Sequence, residues 1–101
     1  MDLPAGEHYA TKEIQELCDQ VKTKVEEITG RKLVEFKAFI YREFKSLHFT
    51  TYQVKVCAGE PEYFHVLFHR TVSDKGEVKT TVEKVEQHHT KDDIIVPVNS
   101  Q

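Results

Sequence analysis

The sequence predicts an α+β fold, with one amphipathic helix covering one face of an antiparallel sheet of four to five strands. Three observations carry that prediction. Apolar residues recur at helical spacing in a single segment, between Ile14 and Ile28. After Gly30 the period drops to two and stays there through several runs. The connections between those runs are short, which favours antiparallel neighbours. A length of 101 residues suits one domain, 1–101, built on one core.

The first ten residues, M-D-L-P-A-G-E-H-Y-A, have no period, and Pro4 and Gly6 discourage helix. Residues 1–10 read as an extended N-terminal arm that could lend the sheet a fifth strand. Thr11 is a suitable N-cap, with Glu13 and Glu16 in the first turns, where the helix dipole favours negative charge. Ile14, Leu17, Cys18, Val21, Val25 and Ile28 form one apolar stripe, while Lys12, Gln15, Asp19, Lys22, Lys24 and Glu26 make a solvated face. Gly30, followed by Arg31 and Lys32, reads as the helix stop.

Val34, Phe36, Ala38 and Ile40 then alternate with polar or outward residues, as do Tyr52, Val54 and Val56 against Gln53, Lys55 and Cys57. Ala58 to Glu62 is a turn, and Phe64, Val66 and Phe68 make a third strand. Ser73-Asp74-Lys75-Gly76 is a second turn before a β-branched strand from Val78 to Glu86. Gln87 to Asp93 reads as polar loop, and Ile94-Ile95-Val96 as a short closing strand near an edge. Lys45-Ser46-Leu47-His48 stands out, because it joins two strands yet holds no Gly, Pro, Asn or Asp.

Composition excludes several classes. With 39% hydrophobic and 31% charged residues, a soluble folded domain is expected. No apolar run approaches the roughly 18 residues of a membrane span. Nor does the N-terminus show a basic and apolar leader, so a cytoplasmic protein without a membrane partner is expected. The net charge of −3 and the lack of a basic stripe argue against nucleic acid. Cys18 and Cys57 are expected to be free thiols.

No constellation points to chemistry. His65 and His69 share a strand face, but four residues along a strand span roughly 13 Å, too far for one ion. His88 and His89, near Asp92 and Asp93, fit a solvated loop, and His8 and His48 are isolated. Cys18 lies on the helix's apolar face, while Cys57 alternates outward with no activating neighbour. Glu26-Glu27 is surface charge, and there is no phosphate loop. The expectation is a non-enzyme with no catalytic residue, cofactor or metal. In an antiparallel meander the loops Phe44–Phe49 and Val72–Gly76 fall at one edge, which supports loop-mediated binding.

Several segments resemble the stefins, or type 1 cystatins. They are Ala10–Lys22 (A-T-K-E-I-Q-E-L-C-D-Q-V-K), Val25–Lys32 (V-E-E-I-T-G-R-K), Phe36–Ala38, Tyr52–Gly59 (Y-Q-V-K-V-C-A-G), Glu62–Val66 (E-Y-F-H-V) and Lys91–Ile94 (K-D-D-I). The resemblance implies a cystatin-like fold, a five-stranded antiparallel sheet wrapped around the helix. It also implies steric inhibition of papain-like cysteine proteases of the cathepsin type. By position, the protease-binding wedge would comprise a trunk within Met1–Gly6 (Pro4, Ala5, Gly6), a first loop (Phe44, Lys45, Ser46, Leu47, His48) and a second loop (Val72, Ser73, Asp74).

The chain departs from the family in all three. The family's Q-V-V-A-G is absent from the first loop, which reads one residue longer; without its Gly, a longer loop is the expected route around the bend. Val72-Ser73 stands where a Leu-Pro pair is usual, and Gly6 lies closer to the helix than the family's trunk glycine. Two readings stay open: a tight or weak inhibitor, or a stefin scaffold that has lost inhibition and binds another partner. A monomer is expected, with a domain-swapped dimer as the alternative if the first loop opens as a hinge.

Overall fold

The computed structural model of the chain describes residues 2–98. Met1, assigned to the trunk, lies outside the described residues. Six elements follow in chain order: β1 (His8–Tyr9), α1 (Lys12–Thr29), β2 (Lys37–Lys45), β3 (Phe49–Cys57), β4 (Tyr63–Val72) and β5 (Val78–His89). The strands form one sheet in the order β1-β2-β3-β4-β5, every neighbour antiparallel. This is the α+β architecture expected, and the arm supplies the fifth strand.

Local chemistry fixes the helix ends. The Thr11 hydroxyl accepts the Ile14 N–H at 3.2 Å, and Gly30 ends the helix at φ 72°, its N–H donating to the Glu26 carbonyl at 2.8 Å. Ile14, Cys18, Val21 and Val25 are buried against Val54, Val56, Phe64 and Phe68. Ile28 drops out of this stripe and is exposed. Gln15 is not simply solvated: its amide donates to the Phe36 carbonyl and accepts from the Ala38 N–H, tying the helix to the start of β2.

The segment before β2 is not strand. Val34 is fully exposed, although Leu33 and Phe36 reach the core. Within β2 the register shifts between Ala38 and Ile40. A bulge adds one residue, so the alternation reverses: Ala38 faces the helix, whereas Ile40 is buried outside that core. Gln87, His88 and His89 belong to β5 rather than to a loop.

The closing segment is not a strand either. Residues 91–98 cross the sheet's outer face as a strap, pinned mainly by side chains that reach its backbone. Lys55 Nζ donates to the Lys91 carbonyl at 2.7 Å, Arg42 Nε to that of Ile95 at 2.6 Å, and Gln53 Nε2 to that of Val96 at 2.7 Å. Ile95 is buried beneath the strap. Cys57 keeps the outward side that alternation gives it, next to Val56 of the helix-side core, yet it is buried there.

Candidate functional site

The β2–β3 hairpin turns without a left-handed residue. Among the described residues His88 is the only non-glycine with positive φ, so Leu47 and His48 bend at ordinary backbone angles. The ladder runs to Lys45↔Thr50, and the Phe49 carbonyl then accepts both the N–H and the hydroxyl of Ser46, at 2.9 and 3.0 Å. Ser46 thus does locally what a glycine would have allowed by conformation. The bend is tight, not long: Ser46–His48 is the whole connection between the strands, and Phe44 and Lys45 are still in β2.

The β4–β5 hairpin closes differently. Ser73 N–H donates to the Glu77 carbonyl at 2.8 Å, while its hydroxyl accepts the N–H groups of Lys75 and Glu77. Gly76 supplies the positive φ, 82°. Phe49 at the start of β3 pairs with Thr71 near the end of β4, and its ring meets His69 edge-on at 5.2 Å. The two tips therefore share one end of the sheet. Phe44, Leu47, Phe49, Val72 and Val78 are all exposed there, Leu47 to 90%. Lys45 and His48 are exposed as well.

The third segment is tied down. Pro4 to Glu7 forms a turn, with Glu7 N–H donating to the Pro4 carbonyl at 3.0 Å and Gly6 at φ 86°. Arg42 Nη1 donates to the Ala5 carbonyl at 2.8 Å, and a Cβ at Gly6 would sit 2.5 Å from that nitrogen. Glu7 is buried; its carboxylate accepts from Arg42 Nη2 at 3.4 Å and from the Ile95 N–H at 3.0 Å. Pro4, Ala5 and Gly6 thus sit beside β2, where Gly6 and Phe44 border one hollow. Asp2 and Leu3 lie back with Tyr9, Phe39 and Lys91. This is a more ordered arm than the extended one expected.

Sequence reasoning missed a second cluster, on the outer face. The rings of His65 and His89 stack at 3.7 Å and 7°. His89 contacts Asp93 through Nδ1 and Glu86 through Nε2, both at 2.8 Å. Burial works against charge on His89, but the two carboxylates outweigh it and raise its pKa. Burial, reinforced by the His89 and Lys55 charges, pushes His65 down to about 4. Glu86 and His89 are three apart, which a regular strand puts on opposite faces; the signal of the bulge between them, positive φ at His88, is not written in composition.

Cys18 is fully buried, and its thiol is pushed up to about 12 by burial and then by Asp19; Cys57 is buried as well. No described helix is long and apolar enough to cross a membrane.

No family model matches the chain. It is 35% identical over 85 residues to Cystatin-A8 of Sus scrofa, a match spanning 83% of this chain and 80% of that protein. Leukocyte cysteine proteinase inhibitor 1 of Sus scrofa matches to the same extent. Cystatin-A of Homo sapiens is 34% identical over 68 residues, 67% of this chain and 68% of that one.

Proposed function

The chain belongs to the stefin family of cystatins, and we propose that residues 1–101 act as one cystatin-like domain that inhibits papain-like cysteine proteases, of the cathepsin type, by obstructing the active-site cleft. The observation that carries this reading is the pair of hairpin tips at one end of the sheet, with Leu47, Phe49 and Val72 exposed. Cystatin-A8 and leukocyte cysteine proteinase inhibitor 1 bear names that point the same way.

The mechanism needs no bond chemistry and no cofactor. Leu47 and His48 lead the wedge, with Phe44, Lys45 and Ser46 behind them; Val72, Ser73 and Asp74 make a second contact, and Pro4, Ala5 and Gly6 flank the first. Ser46 and Ser73 hold the tips by short internal hydrogen bonds, so little conformational freedom is lost on docking. Lys45 is exposed beside the tip and keeps its ammonium in water while its stem packs. Burying Leu47 in a cleft would contribute about 2 kcal/mol, roughly thirtyfold in affinity.

A non-inhibitory binding protein is the second reading, favoured by the charge on Lys45 and by the arm's tether to Arg42. Titration of papain and a cathepsin with the chain separates the two. Inhibition that saturates at one chain per active enzyme supports the first reading, and full protease activity at micromolar chain overturns it. The chain is proposed to act in the cytoplasm as a monomer. Size-exclusion chromatography after mild heating tests the monomer against a dimer exchanged through the Ser46–His48 hinge.

A further inference from the structure

We propose that His65, Glu86 and His89 form a binding site for a divalent transition-metal ion, zinc foremost, on the outer face of the sheet. One ligand atom from each of the three lies within 4.8 Å of the others. A tetrahedral ion with bonds of about 2.0–2.2 Å needs its ligands roughly 3–3.5 Å apart. A modest tilt of the two stacked rings and a rotation of the Glu86 carboxylate close that gap.

The arrangement is built in three ways. First, His65 is 92% buried by its 8% exposure, and its Nε2 has no hydrogen-bond partner. A buried imidazole nitrogen left unpaired loses stability unless something occupies it. Second, the Asp93 carboxylate holds Nδ1 of His89 at 2.8 Å, which leaves Nε2 as the ligand nitrogen. A carboxylate behind a histidine is the usual support of a metal-bound imidazole. Third, the bulge in β5 turns His89 onto the same face as Glu86, opposite His65 on β4.

Two imidazoles and one carboxylate suit zinc and its neighbours better than magnesium or calcium, which favour all-oxygen sets. The ion takes the place of the proton on His89 Nε2, which leaves to solvent, and Glu86 moves from that proton to the metal. A hollow of about 290 Å³ bordered by His65, Glu86, His89, Gln53 and Ile94 leaves room for a water as fourth ligand. The buried ammonium of Lys55, paired across the ladder with His65, opposes the added charge and moderates the affinity. The site lies near the end of β4 where Tyr63 starts, away from the tips at Val72, so it does not compete with a protein docked on them.

The test uses zinc ion alone with the full chain. Calorimetry is expected to give one zinc per chain. His65→Gln and His89→Gln should each weaken binding at least about tenfold, and Asp93→Asn about 10- to 100-fold. Cobalt substitution should show no thiolate charge-transfer band. No binding at millimolar zinc overturns the site, as does an affinity in both histidine variants equal to that of the unaltered chain. If circular dichroism shows either variant unfolded, proton NMR of the unaltered chain decides. Zinc must move the ring resonances of His65 and His89, and unmoved resonances overturn the proposal.

Discussion

The two faces of this sheet are covered in opposite ways. The inner face is apolar and meets the stripe of α1, with Val54, Val56, Phe64 and Phe68 fully buried. The outer face carries Gln53, Lys55, His65 and Arg42, and the strap over it is held by hydrogen bonds and by the contact of Asp93 with His89. Burial on the inner face needs only shape and hydrophobicity. On the outer face every buried polar group needs its own partner, because an unpaired one is costly. One face should therefore be insensitive to pH and the other should not.

The largest effect expected is on the inner face. Phe64→Ala leaves a cavity between helix and sheet and should cost about 3–5 kcal/mol in urea unfolding, equally at pH 5 and pH 8. Marked pH dependence of that loss would break the contrast.

The outer face should respond to acid through His65. Its pKa is lowered on folding from 6.5 to about 4, so its contribution is fully present above about pH 6.5 and is lost as pH falls toward 4. At about 1.4 kcal/mol per pH unit the ceiling is roughly 3 kcal/mol. His89 has the opposite sign: its raised pKa gives a contribution present below 6.5 and lost as pH rises through the folded value. Unfolding midpoints between pH 3 and 9 should thus fall on both sides. His65→Gln should flatten the acid limb and His89→Gln the alkaline one.

A smaller loss is expected at the tether. Glu7→Gln keeps the volume but weakens the contacts to Arg42 and Ile95, for about 1–3 kcal/mol, measured in urea at pH 7. Least of all should follow from Leu47→Ser, which belongs to neither face. Its stability should stay within about 0.5 kcal/mol while affinity for papain falls. A clear loss of stability would assign Leu47 to the fold instead of to a partner.

Legibility followed the same divide. The inner face was readable because its rule is periodic: the α1 stripe from Ile14 to Val25 and the alternation of Val54, Val56, Phe64 and Phe68 each name their own side. The outer face was not. The bulge that moves Ile40 off the inner side adds a residue with no compositional mark. Ile94-Ile95-Val96 is β-branched, as a strand would be, and only tertiary hydrogen bonds make it a strap. Alternation places His65 and Lys55 outward, but outward here is not exposed. At the hairpin end the positions of the tips follow from the meander, whereas the tether of the arm depends on Arg42 and Glu7, 35 residues apart.

The strap is gripped chiefly by its main-chain carbonyls, those of Lys91, Ile95 and Val96, and every residue type offers the same carbonyl. Its identity can therefore drift with little penalty wherever the side chain points to water, as at Ile94 and Val96. Its length cannot. A deletion of one residue between Lys91 and Val96 would slide every later carbonyl by about 3.3 Å and leave Arg42 and Gln53 reaching for the wrong groups. Apart from the buried Ile95 and from Asp93, which holds His89, this stretch should accept substitution readily and reject insertion or deletion, the reverse of what an ordinary surface loop allows.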